Sequence, residues 1–249
     1  MKFEFAIAAI KGARRYQEDT AMYAPEIDGR AICVLADGMG GHAGGADASR
    51  IACETFLASC RASVDAGPAD ILMRALDDAN RAIARAADRM PENTGMGCTL
   101  VGAAFEAQGL TWVSVGDSLL YLWRRNSLAV LNDDHSLAPE IDRLAEAGVI
   151  SWDEAMADPR RHYLRSAVTG EELELVDSPR DPIPIGPGDV LVLASDGLDA
   201  LDESTISDVI AAGAAQSAKS IADALVARVE KAQIPGQDNT TVLAIRVTR

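Results

Sequence analysis

Residues 32–49 read I-C-V-L-A-D-G-M-G-G-H-A-G-G-A-D-A-S, and the rest of the chain is interpreted outward from this stretch. A run of apolar residues ends abruptly at Asp37 and Gly38, and a helical pattern begins a few residues later. The run predicts a buried strand whose end brings one carboxylate to the rim of a sheet. A carboxylate beside an accessible backbone carbonyl suits a hard divalent cation. A strand-to-helix turn in which Asp37 caps the helix explains the same residues equally well.

The composition is that of an ordinary globular protein with a strongly acidic balance. The chain has 249 residues, of which 48% are hydrophobic and 24% charged, so it can bury a substantial core. The formal net charge of −15 argues against nucleic acid or an anionic membrane as a partner, because both bind basic surfaces. The N-terminal stretch is too short and too charged to be a signal peptide. No apolar run has the length of a membrane span. We therefore expect a cytoplasmic protein, and we expect it to be a monomer.

The cysteines show no sign of a disulfide framework or a zinc site. All four, Cys33, Cys53, Cys60 and Cys98, lie in apolar or helical contexts without a C-x-x-C pair. This pattern predicts buried free thiols.

The periodicity of the apolar residues predicts strands near both ends of the chain and helices between them. Strand patterns occur at residues 2–10, 20–23, 98–105, 111–115, 119–123, 128–131, 172–176, 189–196 and 240–247. Helical patterns occur at residues 46–59, after Pro68, and at residues 141–147, 152–157, 203–212 and 218–231. The four strands between residues 98 and 131 predict an antiparallel meander. The whole order favours one α+β domain over residues 1–249, with two sheets covered by helices.

Three aspartates stand at the ends of predicted strands. Asp37 and Asp196 each end an apolar run, and Asp238 lies just before the last strand. If those strands are neighbours, the carboxylates converge with Glu18 and the Gly38 carbonyl into an oxygen-only site large enough for two divalent ions. Such a pair of ions activates water for an in-line attack on phosphorus. Taken singly, each aspartate is also typical of a turn or a helix cap.

The loop after the first strand reads K-G-A-R-R-Y-Q-E-D-T and carries Arg14, Glu18 and Asp19. A solvated loop is the simple interpretation of this stretch. Alternatively, the loop holds an anion and a metal together, because the planar fork of Arg14 suits phosphate oxygens.

Six motifs in order resemble one known family. They are Arg14-x-x-x-Glu18-Asp19, Asp37-Gly38-Met39-Gly40-Gly41-His42, Gly116-Asp117-Ser118, Asp134-His135-Ser136, Ser195-Asp196-Gly197 and Asp238-Asn239-Thr240. Their order is similar to that in the metal-dependent type 2C (PPM) serine/threonine protein phosphatases, in the bacterial form. The resemblance implies a central antiparallel β-sandwich flanked by pairs of helices on both faces, and a binuclear Mn²⁺ or Mg²⁺ site at one end.

The resemblance also implies roles for single residues, which divide among two core ions, a weaker third ion, the phosphate and supporting positions. By this analogy Asp37 bridges the two core ions, Asp196 and Asp238 hold the first ion, and Glu18 and the Gly38 carbonyl hold the second. Asp117 binds the third ion, and Arg14 binds the phosphate. Supporting positions are Asp19, His42 and Asn239. Residues 136–168, which break the strand pattern, look like the family's flap beside the active site. The basic residues of this segment, Arg160, Arg161 and Arg165, are placed to meet acidic phosphopeptides on an otherwise acidic protein.

This chain departs from the family pattern at two positions. Many members have histidine directly after Asp-Gly, where this chain has Met39, so the proton for the leaving group has to come from elsewhere. We expect a structural role for His42. Leu119 stands where arginine is common, a change that we expect to alter packing more than chemistry.

The implied function is metal-dependent hydrolysis of phosphoserine and phosphothreonine in proteins, opposing a cognate serine/threonine kinase. Two other functions fit the same fold: a catalytically silent phosphoprotein-binding regulator, and a phosphohydrolase acting on a small phosphate ester. The presence of Glu18, Asp37, Asp196 and Asp238 argues against the silent regulator, since loss of a metal carboxylate is its expected mark.

Overall fold

The computed structural model describes residues 1–27, 29–40, 43–63, 66–89 and 95–249. Its strands are β1 Lys2–Ile10, β2 Thr20–Ile27, β3 Arg30–Ala36, β4 Gly38–Met39, β5 Gly97–Cys98, β6 Leu100–Glu106, β7 Gly109–Val115, β8 Leu119–Arg124, β9 Ser127–Val130, β10 Val190–Ala194 and β11 Thr240–Thr248. Its helices are α1 Ala43–Ala62, α2 Pro68–Arg89, α3 Ala138–Glu146, α4 Trp152–Ala157, α5 Glu203–Gly213 and α6 Ala218–Ala232. Short 3₁₀ turns cover Pro159–His162 and Asp196–Ala200.

Two antiparallel sheets face each other at the centre of the molecule. One has the strand order β1-β11-β10-β8-β9 and the other the order β2-β3-β6-β7. Leu35, Val101 and Phe105 of the four-stranded sheet share a buried cluster with Leu191 and Leu243 of the five-stranded sheet. The predicted α+β class with a central antiparallel sandwich is confirmed.

Each outer face of the sandwich is covered by a pair of helices. Alternate residues of β3, Ile32 and Val34, point away from the other sheet and share a core with Phe56 of α1 and Leu72 of α2. On the opposite face, α5 and α6 cover the five-stranded sheet in the same way. Burial on both faces explains why β3 reads as an unbroken apolar run.

The predicted meander between residues 98 and 131 is wrong, because the chain changes sheets halfway along it. Strands β6 and β7 form a hairpin in the four-stranded sheet, whereas β8 and β9 form one in the five-stranded sheet. The crossing occurs at Gly116, whose φ of +100° is a conformation that favours glycine. A Cβ at this position would also lie 2.6 Å from the Thr99 side chain.

The predicted strand at residues 172–176 is also wrong. The segment is irregular, and its backbone is held by Ser166, whose Oγ donates to the Leu175 carbonyl at 2.9 Å and accepts the Leu175 N–H at 3.1 Å. Leu173 and Val176 pack against the core beneath α1 and α2. The apolar alternation therefore reflects side-chain packing without a strand ladder.

Residues 136–168, called the insertion segment below, carry α3 and α4 outside the two sheets. Ile141, Ala145 and Ala155 form a small core within the segment. Its arginines, which we expected to be available to acidic peptides, are each paired with a carboxylate: Arg160 with Asp158, Arg161 with Asp142, and Arg165 with Glu140. These ion pairs already offset much of the positive charge of the segment.

Two simpler expectations can be compared directly with the structure. All four cysteines are buried free thiols, as predicted. Within the described residues, no helix combines the length and the apolar character needed to cross a membrane.

Candidate metal centre

Asp37 follows the last residue of β3, and Thr99 fixes its backbone on both sides. The Asp37 N–H donates to Thr99 Oγ1 at 3.0 Å, and the Asp37 carbonyl accepts the Thr99 N–H at 2.8 Å. Thr99 Oγ1 also lies 2.8 Å from Ser118 Oγ, in the turn that carries Asp117. One threonine thus links the backbone of Asp37 to the turn that holds a second carboxylate.

Gly38 needs to be glycine because three parts of the chain meet there. Its N–H donates to the Glu18 carbonyl at 3.1 Å. A Cβ on Gly38 would lie 2.2 Å from the carbonyl oxygen of Gly45 in α1 and 2.6 Å from that of Glu18. The close approach brings the loop of Glu18, the end of β3 and the first turns of α1 into contact.

Asp196 and Asp238 reach the same rim because β10 and β11 are neighbours in the five-stranded sheet. Asp196 opens the 3₁₀ turn after β10, and Asp238 precedes β11. A Cβ on Gly197 would lie 2.0 Å from the Asn239 carbonyl oxygen, so the two turns are in direct backbone contact.

Asn239 joins this rim to the loop that follows β1. Its Nδ2 donates to the carbonyls of Lys11 at 2.8 Å and Tyr16 at 2.9 Å, and its Oδ1 accepts the Glu18 N–H at 2.7 Å. The side chain is buried, so these contacts are shielded from water. Asn239 therefore holds the loop carrying Arg14 and Glu18 beside Asp238.

Arg14 forms an ion pair with Asp238. The other Asp238 oxygen, Oδ1, accepts the Asn239 N–H at 2.7 Å. The Arg14 side chain is 55% exposed, which places its guanidinium at the mouth of the site. Arg14, which is expected to bind the phosphate, is thus in direct contact with Asp238, which is expected to bind a metal ion.

Asp19 lies buried beneath the rim. Its Oδ2 accepts a hydrogen bond from Ser195 Oγ at 2.8 Å, and Ser195 Oγ in turn accepts the Thr241 N–H at 2.9 Å. Burial raises the pKa of Asp19 to about 6, and the charge of Asp196 adds to the rise, although the hydrogen bond from Ser195 opposes it.

Most of the predicted site residues line one cavity of about 1220 Å³. Those that line it are Arg14, Glu18, Asp37, Gly38, Asp117, Asp196, Asp238 and Asn239. Asp19 lies below it, and His42 falls outside the described residues. The insertion segment also contributes to the wall, through residues 162–166.

The carboxylates of the cavity disfavour one another's charged forms. Burial first, and then the charges of Asp19, Asp196, Asp117 and Asp238, raise the pKa of Asp37 well above its ordinary range. The pKa of Asp117 rises to about 8, mainly through burial and then through Asp196. Several carboxyl groups that resist ionisation side by side are typical of a place that binds a cation.

The donor atoms fit a hard divalent cation. Asp196 Oδ1 and Asp19 Oδ1 are buried and accept no hydrogen bond from the described part of the chain, which is uncommon for buried carboxylate oxygens. All four thiols lie in the core, so the cluster offers oxygen ligands. Within the same residues, no group of three or more aspartate, glutamate, histidine or cysteine side chains is arranged, as the side chains stand, to hold a metal ion. The carboxylates instead surround the cavity, with Asp238 held by Arg14.

His135 supports the Asp117 turn from below. Its Nδ1 accepts the Gly116 N–H at 3.3 Å, and its backbone N–H donates to the Gly116 carbonyl at 3.0 Å. Burial lowers the pKa of His135, which favours the neutral imidazole that this acceptor role requires. The Asp134-His135-Ser136 motif thus contributes a buried support for the turn that carries Asp117.

Several lining residues were missed by reasoning from the sequence. Thr99 stood inside a strand pattern, and nothing in its neighbours signalled contacts with Asp37 and Ser118. Asp199 lines the cavity one 3₁₀ turn after Asp196, and His162 lines it from the insertion segment. The sequence offered a signal for each residue, in the D-G-L-D spacing for Asp199 and in the basic run for His162. Neither signal indicated that the side chain of that residue faces the cavity.

Comparisons with known proteins agree with this geometry. A family model described as protein phosphatase 2C matches residues 15–233. The serine/threonine phosphatase stp of Listeria welshimeri is 32% identical over 237 residues, which cover 93% of this chain and 90% of that protein. The crystal structure of the Mycobacterium tuberculosis serine/threonine phosphatase PstP/Ppp superposes with a TM-score of 0.83 at 29% identity and covers 100% of both chains. A structure of the PstP catalytic domain in complex with two manganese ions gives a TM-score of 0.79 at 29% identity, covering 100% of this chain and 99% of that one.

The matched family segment contains Glu18, Asp37, Asp117 and Asp196 but ends before Asp238. The candidacy of Asp238 therefore depends on its place in the cavity and on the motif around it. Since the family model matches most of the chain and a relative is similar over nearly its full length, the chain belongs to the protein phosphatase 2C family.

Proposed function

We propose that this chain hydrolyses phosphoserine and phosphothreonine in proteins, using two divalent ions, Mn²⁺ or Mg²⁺, bound at one end of the sandwich. The observation that carries the proposal is the convergence of Glu18, Asp37, Asp117, Asp196 and Asp238 on a single cavity from distant parts of the chain. The family, the relatives named as serine/threonine phosphatases and the manganese-bound PstP structure support the same activity.

Asp37 would contribute to both ions, as the family resemblance implies, because Asp117, Asp196 and Asp238 line the same cavity and lie close enough to raise its pKa. Asp196 and Asp238 would hold one core ion, and Glu18 with the Gly38 carbonyl the other. Asp117 would bind a weaker third ion. When bound, such ions supply an activated water and offset the charge that develops on the phosphate.

The protein's own residues orient the substrate. Arg14 stands at the mouth of the cavity, where its guanidinium can donate in parallel to two phosphate oxygens. Thr99 and Asn239 hold the backbone of the carboxylate-bearing turns, so that the ligands are in place before substrate arrives. Met39 lines the cavity and has no proton to give, so protonation of the leaving oxygen has to come from another group.

The proposal has four further parts. They are a cognate serine/threonine kinase, a cytoplasmic location, a single domain over residues 1–249, and a flap role for residues 136–168. The flap role is supported by the position of the insertion segment, which lines the cavity while remaining outside the sheets. The kinase is expected because the reaction needs a phosphoprotein as its substrate.

A comparison of phosphopeptides with small phosphomonoesters at saturating Mn²⁺ tests the proposed function. We expect kcat/KM to be higher for the phosphopeptides, and Arg14→Ala to raise KM while bound metal is retained. Preference for a small ester would favour a different phosphohydrolase. Tight phosphopeptide binding without turnover would favour a silent binding protein.

A further inference from the structure

A second, smaller cavity of about 280 Å³ adjoins the active site. It is lined by residues 200–202, Thr205, Arg228, Lys231 and Ala232. Ala200 belongs to the walls of both cavities. The end of α6 and the residues after it also line both cavities, since Ala232 lines the small cavity and Ile234 the large one.

The lining of the small cavity contains two basic side chains and one acidic side chain. Arg228 and Lys231 lie three residues apart on α6, so both project from one face of the helix. Neither makes an ion pair within the described residues, although this protein has a net charge of −15. At the large cavity, by contrast, the two arginines form ion pairs, Arg14 with Asp238 and Arg165 with Glu140.

The acidic residue of the small cavity is already committed to the fold. Asp202 caps α5, and its Oδ1 accepts the Thr205 N–H at 2.7 Å and the Ser204 hydroxyl at 2.7 Å. One of its oxygens thus caps the start of α5, and within the described residues Asp202 forms no ion pair with either cation. The positive end of the α5 dipole also lies at this cavity.

We propose that Arg228 and Lys231 form a subsite for a second anionic group of the substrate, an acidic side chain or a second phosphorylated residue. The inference rests on the proposed function, because the phosphate that reacts occupies the large cavity. An extended peptide advances about 3.3 Å per residue, so a chain passing over Ala200 would bring a flanking residue to the second cavity. Substrates with an acidic residue near the phosphorylated position are therefore preferred.

The experiment uses four matched series of peptides, each with one hydrolysable phosphoserine. The residue at each of the nearby flanking positions is varied in turn among alanine, lysine, glutamate and a phosphonate analogue of phosphoserine, which cannot be hydrolysed. We expect wild-type kcat/KM to rise roughly 3- to 20-fold for the best anionic position, and the gain to shrink as salt is added. The glutamate and phosphonate series show which anion is the better fit.

Charge variants then assign the preference to the subsite. Arg228→Gln/Lys231→Gln should remove the preference, and Arg228→Glu/Lys231→Glu should reverse it toward peptides with a flanking lysine. Hydrolysis of a small aryl phosphate should be unchanged in both variants. A matched control is Arg61→Gln/Arg89→Gln, which removes one basic residue from the last turn of each of α1 and α2, on the opposite face of the sandwich.

Fluorescence anisotropy with the same labelled peptides separates failure of the subsite from failure of the proposed function. If no peptide is hydrolysed, the proposed function fails, and the binding preference still reports on the subsite. Equal preference in wild type and in the double glutamine variant, in turnover or in binding, would overturn the subsite.

Discussion

Thr99 holds Asp37 through a reciprocal pair of hydrogen bonds, with Asp37 N–H to Thr99 Oγ1 at 3.0 Å and Thr99 N–H to the Asp37 carbonyl at 2.8 Å. The same hydroxyl contacts Ser118 beside Asp117. Two carboxylates that the sequence separates by eighty residues are therefore positioned by one side chain.

We expect Thr99→Val to lower Mn²⁺ affinity or kcat by roughly 10- to 100-fold, because it removes the hydroxyl that orients both turns while keeping the shape of the side chain. Calorimetric Mn²⁺ titration together with phosphopeptide kinetics measures the effect. Thr99→Ser keeps the hydroxyl and serves as the control. If the valine variant bound Mn²⁺ and turned over like wild type, Thr99 would have no positioning role.

Asp117→Ala should leave two tightly bound ions and the fold intact, yet remove most turnover of phosphopeptides. The expected reason is loss of the weaker third ion, beside which the leaving oxygen would be protonated. The defect should be smaller for nitrophenyl phosphate, whose leaving group needs less protonation. The test measures the number of bound metal ions and kcat on both substrates for the variant and for wild type. Wild-type rates on phosphopeptides at saturating Mn²⁺ would make Asp117 an ordinary turn residue.

The raised carboxyl pKa values predict how the stability of the metal-free protein varies with pH. The pKa rises from 3.8 to about 6 for Asp19 and to about 8 for Asp117. The folded state then retains protons that the unfolded chain has lost, so the free energy of unfolding should fall as pH rises from about 4 to about 8. Urea denaturation of the chelated protein at several pH values measures this fall. Asp117→Asn should flatten its upper part, and a stability that rises over the same range would contradict the assignment.

The half-buried Arg161–Asp142 ion pair joins the 3₁₀ turn of the insertion segment to α3. We expect Arg161→Ala to loosen this segment and to reduce kcat/KM for phosphopeptides more than for a small aryl phosphate. Arg160→Ala is a matched control, because Arg160 is exposed and its one ion-pair partner in the described part of the chain is the nearby Asp158. Hydrogen exchange over residues 136–168 reports the loosening. An equal loss on both substrates would show that the segment supports the catalytic residues themselves.

Much of the centre could be predicted from local sequence. The apolar runs before Asp37 and Asp196 showed that each carboxylate ends a buried strand, and a strand end has to lie at the rim of a sheet. The part assigned to Gly38 was similarly local, because its carbonyl lies next to the carboxylate of Asp37 in the sequence.

The remainder depends on contacts between distant segments. The change of sheets at Gly116 follows from the packing of two faces, which a pattern of short strands does not encode. Residues 172–176 resemble a strand in sequence, and Leu173 and Val176 are partly buried against the core. The backbone of Leu175, however, is hydrogen-bonded by the Ser166 side chain and not by a neighbouring strand. The pairing of the insertion-segment arginines with carboxylates likewise became visible only with the fold.

The central claim is that Asp37 and Asp196 assemble a two-metal centre that performs the hydrolysis. The most direct measurement is phosphopeptide turnover as a function of Mn²⁺ after exhaustive chelation, with bound metal counted, for wild type, Asp37→Ala and Asp196→Ala. The account predicts no turnover without metal, recovery as two ions bind to wild type, and a kcat lower by several orders of magnitude in each variant. Full activity after chelation, or losses of roughly 100-fold or less with metal occupancy retained, would contradict it.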